Sequence, residues 1–176
     1  ALEKFFSHAF GNIFEAGILS DPDYVLPDGV LTGGPQPFVV CGEAAITVVV
    51  GWDRVDADLR LRVTTPGGTA ITATSPGVDD DAGRTWAFLR IPLPYLGERN
   101  GIWTVAPERT GGGGGELEPA LPAVRYFVNI VPTGGPRLEL VPGRNHFYTG
   151  EPINPLVRLR TPDGGWPDDV EVELEI

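Results

Sequence analysis

The sequence predicts a mainly β protein, an antiparallel β-sandwich, on three observations. In the run 45–52, AITVVVGW, Ile46, Val48, Val50 and Trp52 alternate with Thr47, Val49 and Gly51. In the run 59–64, LRLRVT, Leu59, Leu61 and Val63 alternate with Arg60, Arg62 and Thr64. Side chains two apart share one face of a strand, so each run carries an apolar face, and the second also carries a polar face suited to a sheet wet on one side. The chain holds 24 glycines and 18 prolines in 176 residues, which suits many turns and few long helices.

That length suffices for one full sandwich and part of a second unit. The formal charge of -11 repels phosphate backbones and anionic lipid surfaces, which argues against a nucleic-acid partner. No apolar run approaches the roughly 20 residues that span a bilayer. The N-terminus lacks the basic start and apolar core of a signal peptide. The chain begins with Ala and contains no Met, so it reads as a processed product or a piece of a longer polypeptide. Cys41 is the sole cysteine, which excludes an internal disulfide framework and leaves the redox compartment open. Its place after Pro37-Phe38-Val39-Val40 predicts a small, buried, apolar side chain.

Taken in order, residues 1–18 have helical spacing, with Leu2, Phe5, Phe6, Ala9, Phe10, Ile13 and Phe14 forming a broad apolar stripe. Gly11 in its middle costs about 1 kcal/mol relative to Ala. Four phenylalanines on so short a helix need a partner surface. Either the helix packs on the sandwich or it ends a preceding domain. Residues 19–37 are punctuated by Asp21-Pro22, Pro27-Asp28-Gly29 and Gly33-Gly34-Pro35. They read as a linker draped over the sandwich or as its first edge strand, with Tyr24–Leu26 or Val30–Leu31 as the strand. The sandwich itself is expected over 38–132. A strand at Phe38–Cys41 precedes the two runs above, and Pro66-Gly67-Gly68 reverses the chain into a short strand at Thr69–Thr74. Ser75–Arg84 is expected to be a loop carrying Asp79, Asp80 and Asp81. Trp86–Ile91 is a strand that Pro92 and Pro94 end and cap as an edge. Asn100-Gly101 signals a hairpin into Ile102–Val105. The five glycines at 111–115 preclude a regular element, and Val124–Val131 closes the sandwich.

Thr133-Gly134-Gly135-Pro136 marks a module boundary. Residues 133–176 hold three strand patterns, Arg137–Val141, Leu156–Arg160 and Val170–Ile176, too few for an independent core. Together the elements predict an Ig-like or jelly-roll-like sandwich, with an N-terminal helix before it and a partial second Ig-like unit, of the fibronectin III kind, after it.

The order of elements, with TVVVGWDRVDADLRLRVTTPGG, WAFLRIPLP and NGIWTV in one sandwich and PLVRLRTPDGGWPDDVEVELEI after it, is similar to a known arrangement. It resembles the region that follows the von Willebrand factor A domain in the calcium-activated chloride channel regulator family and its bacterial relatives. The likeness covers about residues 38 to 176. It rests on the apolar strand ending in Trp52, the strand and turn from Asp58 to Gly67, Trp86–Pro92 and Gly101–Val105. The resemblance implies a sandwich followed by a fibronectin III-like domain in an exported or surface protein. The family's Asp-x-Ser-x-Ser metal motif and His-Glu zinc motif are absent from this sequence, so no functional residue carries over.

The chemistry-bearing residues are sparse. Ser7-His8 is the only adjacent Ser/His pair and no G-x-S-x-G elbow exists. His8 and His146 are the only histidines and lie far apart, without the H-E-x-x-H spacing of a zinc site. Asp79, Asp80 and Asp81 are candidate calcium ligands, which Asp53, Asp56 and Asp58 would join if their turns converge with that loop. Like charges in a solvated loop are the plainer reading, and Asp168-Asp169 reads as a polar turn. Trp52, Trp86 and Trp103 lie in strand runs and are expected in the core. Trp166, in a Gly/Pro turn, is the candidate for an exposed, sugar-stacking aromatic. The expectation is a non-catalytic structural or interaction module, extracytoplasmic, without a cofactor, that contacts neighbouring domains of its own polypeptide and protein partners. The alternative is a carbohydrate- or calcium-binding module.

Overall fold

The computed structural model describes residues 23–110, 121–141, 148–150 and 156–161. The N-terminal helix, the five-glycine run, both histidines, Trp166 and the strand expected at Val170–Ile176 lie outside the described residues. Eleven strands, and no helix, are described: β1 Asp23–Leu26, β2 Gln36–Val40, β3 Ala45–Trp52, β4 Leu59–Thr64, β5 Ala70–Ile71, β6 Asp79–Ala82, β7 Trp86–Pro92, β8 Gly101–Arg109, β9 Val124–Thr133, β10 Arg137–Val141 and β11 Leu156–Arg160. They form a five-stranded antiparallel sheet in the order β1-β9-β3-β7-β6, a four-stranded one in the order β2-β8-β4-β5, and a β10-β11 ribbon. The two larger sheets make a sandwich.

The alternation of the two founding runs is what faces these sheets toward each other. Ile46, Val48 and Val50 of β3 point inward from one sheet, and Leu59, Leu61 and Val63 of β4 from the other. Val124, Val128 and Ile130 of β9, Leu89 and Ile91 of β7, and Trp103 and Val105 of β8 join them in the core. Each such side chain contributes about 1.5–3 kcal/mol of apolar burial. Trp103 is fully enclosed, donates from Nε1 to the Arg99 carbonyl at 3.0 Å, and packs on its cross-strand partner Phe38. Burial of so large a ring requires a partner for its one polar atom, and the chain supplies it four residues away.

β3 and β4 belong to opposite sheets. Several expectations are corrected in detail. Ser75–Arg84 is not all loop, because Asp79–Ala82 pairs with β7 as an edge strand. β7 is therefore flanked on both sides, and Pro92 ends it without capping an edge. The strand expected over Thr69–Thr74 is reduced to Ala70–Ile71, since Thr72 and Ser75 turn the chain, the Thr72 N–H donating to Ser75 Oγ at 2.9 Å. Asn100-Gly101 joins no hairpin. β7 and β8 lie in different sheets, and the tight turn of that crossing is Tyr95–Glu98, whose terminal residues exchange backbone hydrogen bonds of 2.8 and 2.9 Å. Both central residues, Leu96 (φ 47°) and Gly97 (φ 89°), have the positive φ a primed two-residue turn demands. Cys41 is exposed, not buried. Phe38 and Val40 take the inward positions of β2, so the strand's period of two sends Val39 and Cys41 outward.

Candidate functional site

The acidic run lies on β6, and strand geometry decides what it can hold. Asp79 pairs with Arg90 and Asp81 with Phe88, while Asp80 and Ala82 pair with Leu89 and Ala87. Asp79 and Asp81 therefore stand on the outer face of the five-stranded sheet and Asp80 on the inner side. Consecutive carboxylates diverge, and Asp81 Oδ1 accepts from the Ala82 N–H at 2.8 Å. Among the described residues no three His, Cys, Asp or Glu side chains are placed to hold one metal ion. Asp80 lines a cleft of about 230 Å³ at the open edge of the sandwich, together with Arg60 and Leu61 of β4 and Leu89 of β7.

The other acidic candidates do not converge with β6. Asp53 Oδ1 accepts from the Arg125 N–H at 3.0 Å. Asp56 takes a two-pronged contact from Arg54, at 3.0 and 2.6 Å, which holds its carboxyl below the usual range and the guanidinium above its own. Asp58 pairs with Arg60 at 3.2 Å and with the Thr110 hydroxyl. Each carboxylate is spent on a turn or a neighbouring strand.

Two further polar groups act as turn clamps that the sequence did not reveal. Glu98 accepts from the Thr65 hydroxyl at 2.7 Å, the Gly67 N–H at 2.6 Å and the Thr69 hydroxyl at 3.4 Å. These donors, Thr65 first, lower its pKa. Glu43 is buried, and its Oε2 accepts from the Cys41 N–H at 2.5 Å. Glu98 lies 31 residues from Gly67, so spacing held no trace of their meeting.

Around Glu43 the turn 42–44 is packed against the exit from β9. The Ala44 N–H donates to the Thr133 carbonyl at 2.8 Å. A methyl group on Gly135 would fall 2.8 Å from Glu43 Cγ, and one on Gly134 (φ 70°) 2.8 Å from Ala44 Cβ. The glycines expected to mark a module boundary leave room for the Ala44 and Glu43 side chains, which pack against the chain there, and Gly134 also takes a positive φ. β10 begins immediately beyond, at Arg137.

The tryptophans divide. Trp52 and Trp103 are in the core, Trp52 donating from Nε1 to the Ala57 carbonyl at 2.8 Å. Trp86 is not: it is half-buried on the outer face of the five-stranded sheet, stacked on Phe88 with ring centroids 6.2 Å apart and planes within 4°. The run WAFLRI hid this because two of its three outward positions, Trp86 and Phe88, are as apolar as its inward ones.

Compared with family models and with curated proteins, the chain matches none. No helix among the described residues is long and apolar enough to cross a membrane.

Proposed function

We propose that this chain is a non-catalytic structural and interaction module of a larger exported or surface protein, one that fixes the orientation of the unit following it. Its sandwich is Ig-like and the following unit fibronectin III-like, as the resemblance to the region after a von Willebrand factor A domain implies. The observation that carries this reading is the packed junction at Gly134-Gly135-Pro136. A linker meant to swing is solvated and free of contacts. Here the exit from β9 is bonded through Thr133 and seated against Ala44 and Glu43 before β10 starts. The use of charged side chains agrees, since Glu43, Asp53, Asp58 and Glu98 are all bound to the chain's own turns and strands.

Backbone ¹⁵N relaxation on the whole chain tests the reading. Amides of β3, β8 and β10 are expected to share one rotational correlation time. Gly135→Leu is expected to separate them by displacing Glu43. Faster, independent tumbling of β10 and β11 in the unaltered chain refutes the reading. So does saturable binding of calcium by calorimetry, or of a glycan in a manner that Trp166→Ala abolishes.

A further inference from the structure

The five-stranded sheet has an outer face unlike that of its partner. Cross-strand register lays it out in rows: Trp86, Gly51 and Phe127, then Phe88, Val49 and Asn129, then Arg90, Thr47 and Val131. Five of these nine positions are large and apolar. On the outer face of the four-stranded sheet the middle strands carry Arg60, Arg62, Thr64, Thr104 and Glu108 beside Ile102 and Ala106, so polar positions predominate as on a wet face. The second difference is burial. Asn129 is wholly shielded from solvent and Phe127 is 7% exposed, yet no described element stands over this face. Thirdly, β3 is apolar at Val48, Val49 and Val50 without a break, the pattern of a strand covered on both sides.

We propose that this face is the docking surface for the chain's own N-terminal segment, residues 1–18, through the stripe of Leu2, Phe5, Phe6, Phe10, Ile13 and Phe14. Register supplies the route. β1 starts at Asp23 opposite Phe127 and runs antiparallel to β9, so the chain enters β1 from the end of that edge at which Asn129 and Val131 follow along β9. Residues 19–22 span at most about 14 Å, and a helix of 18 residues is about 27 Å long. The face from β1 to β6 is four strand spacings, about 19 Å, wide. A helix entering at that edge reaches the whole row of aromatics. The occupant brings apolar surface concentrated on one side, and the face offers Trp86, Phe88, Val49, Phe127 and Val131 to bury it.

Paramagnetic relaxation on the whole chain tests this. Ser7, beside the stripe, is replaced by Cys in a Cys41→Ser background and carries a nitroxide. The expected result is loss of the Val49 and Val131 methyl signals, with those of Val39 and Ile102, on the opposite sheet's outer face, retained. Phe10→Ser is expected to restore the lost signals while leaving the core methyls of Val48 and Val63 unshifted, which separates undocking from unfolding. Retention of all four signals overturns the proposal, as does loss at Val39 and Ile102 instead. Loss seen only between labelled and unlabelled chains in a mixture assigns the face to a second copy and overturns it as well.

Discussion

Gly51 sits mid-row between Trp86 and Phe127, and the Phe127 ring leans over it. A Cβ added there would lie 2.4 Å from Cε1 and 2.5 Å from Cζ of that ring, about 1 Å inside ordinary contact. Gly51→Ala therefore forces Phe127 to move, and Phe127 is packed. Overpacking of this kind costs about 1–3 kcal/mol. Replacing a strand glycine returns about 0.5–1 kcal/mol by restricting the unfolded chain. The net expectation is a loss of about 1–2 kcal/mol, read by urea unfolding with tryptophan fluorescence, or as about 2–8 °C in Tm for a chain of this size. Phe127→Leu removes the obstruction, so in that background Gly51→Ala is expected to be neutral or stabilising. The resulting coupling of about 1–2 kcal/mol is what two groups in contact give. A stabilising Gly51→Ala in the unaltered chain, or the same loss in both backgrounds, refutes the reasoning.

Other outcomes follow from single contacts. Glu98 has a lowered folded-state pKa, so its contribution is present above the ordinary carboxylate value and is lost as pH falls through the lower folded one; Glu98→Gln is expected to flatten the acid limb of a Tm-versus-pH curve, and an unchanged limb counts against the clamp. Cys41 is exposed, so Ellman's reagent is expected to titrate one thiol in the native protein at a rate close to that after denaturation, whereas a buried thiol would react only on unfolding. Leu96 is 74% exposed at φ 47°, a conformation that suits Asn or Gly; Leu96→Asn is expected to raise stability by about 0.5–1 kcal/mol in urea titrations, and a loss would mean the leucine makes a contact that offsets its backbone strain.

The two-residue rhythm of 45–52 and 59–64 was enough to read strands, their apolar faces and a sandwich, because burial on one face of a pleat leaves a local signature. Pro66-Gly67-Gly68 was legible for the same reason, since a tight reversal states its backbone needs within four residues. Asp79, Asp80 and Asp81 read as loop in sequence because three carboxylates suit a solvated turn and an exposed edge strand equally. Cys41 was misplaced by one step of the same rhythm that placed Val40 correctly.

Pairing partners were beyond local pattern. That β3 and β4 face each other across the core, that Leu96-Gly97 and not Asn100-Gly101 makes the turn between the sheets, and that Glu98 grips Gly67 all depend on segments brought together by chain reversal. Whether the outward Val49, Trp86 and Phe88 are core or surface is likewise a question of which strands lie beside them. Alternation records which side chains share a face of one strand. Only assembled sheets decide what that face meets, because the energy that chooses between registers comes from contacts between residues far apart in the chain.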